Sequence, residues 1–187
     1  PGTVGGALAM NAGAFGGETW EHVDRVETID RAGVQRTRSR EEYQVGYRSV
    51  SGAATEWFLA ATFAFSADQD ADMTDIKAML RKRGKSQPLG KLSCGSVFRN
   101  PPGRLAAQLI EQAGLKGARS GDAIVSEKHA NFIINRGSAT AANIESLIET
   151  VRDRVVASSG TRLQLEVRII GEPAEGSAAE LQGENPR

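Results

Sequence analysis

The stretch Cys94-Gly95-Ser96-Val97-Phe98-Arg99-Asn100-Pro101 sets a serine between a glycine and a proline-terminated run. Such flanks restrain the backbone and can hold a hydroxyl in one direction. A serine hydroxyl is a poor acid in water. It can still donate a proton to a strongly basic carbanion or enolate within hydrogen-bond reach. It is not the nucleophile of a Gly-x-Ser-x-Gly elbow, because that pattern is absent. Arg48, in Gly46-Tyr47-Arg48-Ser49, offers a planar fork of donors suited to a carboxylate, an enolate or a phosphate. Glu166 alternates with Leu165 and Val167 and could orient or charge-pair with such an arginine. Lys82, Arg83 and Lys85 form a small basic cluster of the kind that can meet a diphosphate. On residue type alone each has a plainer reading: a turn serine, a surface arginine, a solvated strand face, a charged helix end.

The first 17 residues, PGTVGGALAMNAGAFGG, hold six glycines. Backbone without Cβ atoms can approach a ligand closely, and converging amide N–H groups suit a phosphate or a flavin. The segment is neither a P-loop nor a dinucleotide fingerprint, and a tight Gly/Ala packing turn is the alternative. Cys94 with His129 as base would make a thiol nucleophile, but no orienting third group accompanies them. His22 and His129 stand apart, without metal-ligand spacing, so no metal site is expected.

The elements that must position these groups follow from periodicity. A short helix is expected over residues 4–12. A strand over 23–30, a turn at Arg31-Ala32-Gly33 and a return strand over 34–37 make a hairpin. A helical turn over 40–43 and a buried, aromatic-rich strand over 56–65 follow. The polar stretch 66–72 reads as a domain junction. Beyond it lies a helix over 73–83 with Ile76, Met79 and Leu80 on one face, then a loop over 89–102. A helix over 104–113 comes next, and a short strand over 132–134. The clearest helix covers 141–158 and closes at Gly160. The clearest strand covers 162–170, with Leu163, Leu165, Val167 and Ile169 on one side. Helices and strands mix without βαβ alternation, so the fold class is α+β.

Composition bounds the rest. The chain has 187 residues, 40% hydrophobic and 25% charged, with 23 Lys plus Arg against 23 Asp plus Glu. Zero net charge argues against a nucleic-acid partner. The single cysteine suits a reducing compartment. No apolar run approaches the roughly 18 residues of a membrane span. The chain opens at Pro1 directly in the glycine-rich motif, so a preceding segment is expected.

Five segments, in order, resemble one family, the UDP-N-acetylenolpyruvoylglucosamine reductases: Pro1-Gly2-Thr3-Val4-Gly5-Gly6-Ala7 with Asn11-Ala12-Gly13-Ala14, Gly46-Tyr47-Arg48-Ser49, Gly95 through Pro101, residues 126–132 (SEKHANF), and Leu165-Glu166-Val167-Arg168. The resemblance runs from Pro1 to about Gly171. It implies a bacterial cytoplasmic enzyme of peptidoglycan synthesis in which NADPH reduces bound FAD, and hydride then passes to the enolpyruvyl group of a UDP-sugar. By position it makes Ser96 the proton donor, and Arg48 and Glu166 the groups that polarise the substrate carboxylate and stabilise the enolic intermediate. It assigns Gly2, Thr3, Gly5, Gly6, Asn11, Ala12, Gly13 and Ala14 to FAD, and Tyr47, Lys85, Asn100 and His129 to the substrate.

Residues 1–67 would then be the second of two FAD-binding subdomains, residues 68–173 an α+β substrate domain, and residues 174–187 a disordered tail. Two departures from the family pattern stand out. The first flavin subdomain, with its own glycine-rich phosphate loop, is not in this sequence. The short span between Arg48 and Ser96 resembles the subgroup without an extra tyrosine-bearing loop. Two other readings are kept: a fragment that binds the UDP-sugar without turnover, and a different flavin oxidoreductase of the same fold.

Overall fold

The structure, a computed structural model, describes residues 2–53, 55–66 and 73–171. It divides into two compact units, Pro1–Gly90 and Lys91–Arg187. The expected junction at 66–72 and tail at 174–187 lie almost wholly outside the described residues. The content is α+β, and every strand pairing described is antiparallel.

The first unit starts with helix α1, Val4–Met10, whose Thr3 side chain accepts the Gly6 N–H at 3.0 Å. Two two-residue strands follow, β1 (Gly13–Ala14) and β2 (Gly17–Glu18). The main sheet has the order β4-β3-β7, with β3 at Val23–Asp30, β4 at Gln35–Ser39 and β7 at Glu56–Phe63. Asp30 shapes the β3–β4 turn, because its carboxylate accepts the Ala32 and Val34 N–H groups at 2.9 and 3.0 Å. Gly33 there has φ +80°, a conformation that favours glycine. Between β4 and β7 runs a small hairpin of β5 (Gln44–Gly46) and β6 (Ser49–Ser51). Leu8, Trp20, Val23 and Val26 are buried together, with Tyr43, Phe58 and Phe63 against them.

The aromatic run read as a buried strand needs correcting. Strand β7 ends at Phe63 and alternates: Phe58, Ala61 and Phe63 pack on the core, whereas Trp57 and Leu59 are about half exposed, at 53% and 51%. A sheet packed on one face leaves alternate side chains open, whatever their hydrophobicity. Helix α2, Met73–Ser86, also leaves Ile76, Met79 and Leu80 exposed.

The second unit has one core. Helix α3 (Ala106–Gln112) and helix α4 (Ala141–Ser159) pack on a sheet of order β10-β9-β8, formed by β8 (Arg119–Ser120), β9 (Ala123–Val125) and β10 (Ile133–Asn135). Leu147, Ile148, Val151 and Val155 recur at helical spacing on α4 and are all buried. Thr140 and Asn143 cap its start reciprocally, and Gly160, at φ +67°, ends it.

The expected strand over 162–170 does not form. Its pairing among the described residues is an isolated bridge of Phe98 with Leu165, flanked by hydrogen bonds from Arg99 N–H to the Gln164 carbonyl and from the Glu166 and Val167 N–H groups to the Val97 carbonyl. The alternation holds Leu163 in the core at 1% exposure, but Ile169 is exposed. The segment opposite is short and closes at Pro101, which has no N–H to donate and so offers no further rung.

Candidate functional site

Around the glycine-rich stretch, the first unit is organised by two polar side chains. Asn11 follows α1 in the left-handed conformation, φ 45°, which asparagine tolerates better than most residues. It is fully buried. Its amide nitrogen donates to the Glu18 carboxylate at 2.6 Å and the Gly46 carbonyl at 3.1 Å, and its amide oxygen accepts the Trp20 N–H at 3.2 Å. A buried amide must be satisfied in this way, and here its partners come from two parts of the chain, residues 18–20 and Gly46.

Arg48 is the second organiser. Its guanidinium donates to the carbonyls of Asn11 and Gly13, both at 3.1 Å, and lies 5.1 Å from the ring centre of the exposed Tyr47. Arg48 has φ 52°, a sparsely populated conformation for a residue with a side chain. Gly13 fits beneath it only because it lacks a Cβ, which would lie 2.8 Å from the Gly17 carbonyl and 3.1 Å from Arg48. The Ala12 carbonyl accepts the Thr19 hydroxyl at 2.7 Å, and Ala14 pairs with Gly17 in the small hairpin. Arg48 is thereby brought together with Asn11, Ala12, Gly13 and Ala14. By contrast, Gly2 and Gly5 face open space, with nothing nearer than the Thr3 hydroxyl at 4.0 Å from a Cβ built on Gly5. Lys85 is an exposed residue in the last turn of α2.

In the second unit, residues 96–99 are held from both sides. Ser96 bridges Phe132. The Val97 carbonyl accepts the Glu166 N–H at 2.9 Å, and Arg99 N–H donates to the Gln164 carbonyl at 2.9 Å. Glu166 therefore lies opposite Val97, one residue along from Ser96, although the two segments are far apart in sequence. Ser96 and Glu166 are both partly buried. Asn100 sits at the end of this segment, where its amide oxygen accepts the Ala106 N–H at 3.0 Å and satisfies the start of α3.

His129 lies in the loop that leads to Phe132, with ring centroids 4.8 Å apart in an edge-on contact. The buried Ser126 hydroxyl accepts the N–H groups of Lys128 and His129 at 3.2 and 3.3 Å and shapes that loop. Burial, with the Lys116 charge adding to it, holds the His129 pKa below the ordinary 6.5, so the neutral imidazole is favoured. Its Nδ1 is buried without a partner. Partial desolvation raises the pKa of the otherwise exposed Cys94 thiol, the wrong direction for a thiolate nucleophile.

Sequence reasoning missed Asn131, which is 3% exposed and bonded to the backbone beside Ser96. The available signal was an amide in the run Ala130-Asn131-Phe132-Ile133, whose other members read as core. A polar side chain inside such a run must have dedicated partners.

Among the described residues, no helix is long and apolar enough to cross a membrane. Residues 87–170 match the family model described as UDP-N-acetylenolpyruvoylglucosamine reductase, C-terminal domain. The UDP-N-acetylenolpyruvoylglucosamine reductase of Alkalilimnicola ehrlichii is 62% identical over 173 residues, covering 92% of this chain and 58% of the relative. That of Coxiella burnetii is 57% identical over 172 residues, covering 91% and 54%. A crystal structure of the reductase of the same name from Thermus caldophilus matches with a TM-score of 0.73 at 34% identity, covering 88% of this chain and 59% of that one. The chain thus spans somewhat more than half the length of these relatives.

Proposed function

Since the chain belongs to the UDP-N-acetylenolpyruvoylglucosamine reductase family, we propose that the protein carrying it catalyses the NADPH-driven, FAD-dependent reduction of UDP-N-acetylglucosamine enolpyruvate to UDP-N-acetylmuramate in the bacterial cytoplasm. This chain contributes part of the flavin site and the groups that handle the substrate.

When bound, FAD supplies hydride transfer from NADPH to the enolpyruvyl double bond. The surface around α1 suits such a group, because Gly2 and Gly5 leave its backbone open to close approach. The roles within the glycine-rich set divide by exposure. Gly2, Thr3, Gly5 and Gly6 face outward or are half-buried and are assigned the flavin contacts. Asn11 is fully buried with its side chain committed to the fold, so it acts by fixing the Asn11-Ala12-Gly13-Ala14 turn.

On the substrate side, Ser96 gives its hydroxyl proton to the carbanionic carbon formed after hydride addition. A proton donor must be fixed at hydrogen-bond distance from that carbon. The observation that carries the assignment is the junction at Val97, where the Glu166 N–H closes onto the backbone next to Ser96. Glu166 and Arg48 are assigned the polarisation of the enolpyruvyl carboxylate and the stabilisation of its enolic form, with the Arg48 guanidinium as the donor set in advance where negative charge develops. Tyr47, Lys85, Asn100 and His129 are proposed to line the substrate. Asn100 does so while also capping α3.

The test is a spectroscopic turnover of the full-length protein. NADPH is expected to bleach the flavin band under anaerobic conditions, and the enolpyruvyl UDP-sugar to restore it with one UDP-N-acetylmuramate formed per flavin. A flavin band that the UDP-sugar does not restore would contradict the assignment.

A further inference from the structure

Three hydrogen bonds run from one buried residue to the two residues that follow Ser96. Val97 N–H donates to the Asn131 carbonyl at 2.9 Å. Phe98 N–H donates to Asn131 Oδ1 at 2.9 Å, and Asn131 Nδ2 donates to the Phe98 carbonyl at 2.8 Å. The side-chain amide thus serves Phe98 as a neighbouring strand would, meeting both its donor and its acceptor. Asn131 is 3% exposed, so water cannot replace these bonds. Regular pairing on this side is limited to the single bridge between Ser96 and Phe132. Without the amide, the segment would be placed on this side by backbone bonds alone, from Val97 N–H to the Asn131 carbonyl and from Asn135 N–H to the Leu92 carbonyl, and Phe98 would lose both of its partners here.

We propose that Asn131 is a positioning residue for Ser96, fixing the direction of the hydroxyl that delivers the proton; this rests on the reading of Ser96 as the proton donor. Asparagine suits the task because one flat group carries both a donor and an acceptor at the reach of a peptide. An ionised aspartate keeps the acceptor for Phe98 N–H, lacks the donor and sets a negative charge against the Phe98 carbonyl. A protonated aspartate restores one donor and one acceptor.

The experiment uses the full-length protein loaded with FAD and measures two half-reactions by stopped flow: flavin reduction by NADPH, and flavin reoxidation by the enolpyruvyl UDP-sugar. Asn131→Asp is expected to slow reoxidation by roughly 10-fold or more, since small misplacements of a reacting group cost on this scale. Flavin reduction should stay within about twofold, and the loss should shrink as pH falls and the aspartate takes up a proton. The double variant S96A/N131D should be no slower than S96A, because two residues acting through one hydroxyl are not additive. Asn131→Ser, which keeps a hydroxyl at shorter reach, is the variant to read if Asn131→Asp does not retain flavin. Unchanged reoxidation in a folded variant, or a double variant slower than S96A by the full Asn131→Asp factor, would overturn the positioning role while leaving that of Ser96 standing. If Ser96→Ala itself fails to slow reoxidation, the proton-donor reading falls and the positioning role with it.

Discussion

The Arg48 guanidinium donates to the Gly13 carbonyl at 3.1 Å, and Gly13 can lie there only without a side chain. The Tyr47-Arg48 turn and the glycine-rich turn are therefore one assembly, linked again through Asn11 and the Gly46 carbonyl. Gly13→Ala would place a Cβ 2.8 Å from the Gly17 carbonyl, which is backbone and cannot swing aside. The expected cost is about 1–3 kcal/mol of stability, the scale of a forced overpacking. Arg48→Lys should loosen the same turn, because an ammonium cannot reach two carbonyls in a fixed fork. Denaturant unfolding of the two variants checks both. An unchanged midpoint for Gly13→Ala would mean that the turn can open without loss.

Trp20 closes the core of the first unit. It is fully buried, and its indole N–H donates to the Leu8 carbonyl at 2.8 Å near the end of α1. Trp20→Phe leaves that carbonyl without its indole partner and a gap beside Tyr43 and Phe58. A loss of about 2–4 kcal/mol is expected from the lost indole hydrogen bond and the cavity together. Trp20 fluorescence in the parent and thermal unfolding of the variant provide the measurement.

Glu56 ties the sheet together by charge. Its carboxylate accepts from the Thr28 hydroxyl at 2.6 Å and from Arg38 Nε at 3.1 Å, with Arg36 at 3.4 Å. The hydrogen bonds from Arg38 first, and then Thr28, hold its pKa below the ordinary 4.5. A depressed carboxylate contributes stability above its unfolded pKa and loses it as pH falls through the folded one. Stability should therefore decline as pH drops below about 4.5. Glu56→Gln should flatten that part of the profile. An identical acid limb in the variant would show that Glu56 is not its source.

His129 makes the opposite end of the acid range visible. Burial holds its pKa below 6.5, so the unfolded chain takes up the proton first as pH falls. The contribution is complete above 6.5 and is lost as pH falls from there through the folded pKa. An NMR titration of the imidazole should give a midpoint below 6.5, and His129→Gln should remove the corresponding slope in stability. A midpoint above 6.5 would contradict the packing described around Phe132.

Local pattern carried much of the fold. The strand Val23–Asp30 and the helix Ala141–Ser159 with its terminal Gly160 were legible because alternation or helical spacing, end signals and burial all agree there. Residues 162–170 alternate as well, yet form no ladder, since a strand also needs a partner of equal length and residues 96–99 offer one bridge. The hairpin of β8 and β9 was missed because its strands are too short to show a period, although the Gly121-Asp122 turn, with Gly121 at φ +54°, was a usable signal. The half-open face of β7 was read as buried because hydrophobicity alone does not say which face of a sheet is covered.

For the candidate site the sequence offers residue types and not their arrangement. Motif order singled out Ser96, Arg48 and Glu166, whereas the bond from Glu166 to Val97, the residue after Ser96, joins distant segments and has no local signature. Asn100 reads as a substrate contact by motif, and only the structure reveals its bond to the start of α3. Asn131 drew no notice because its partners are backbone groups supplied by a segment far away in sequence.

The central claim is that Ser96 delivers the proton, and Ser96→Ala in the full-length, FAD-loaded protein tests it most directly. Stopped-flow measurement should find flavin reduction by NADPH nearly intact and the reaction with the enolpyruvyl UDP-sugar slowed by at least ~10²-fold, the scale of a placed acid. Equal loss in both half-reactions, or none in the second, would contradict the claim.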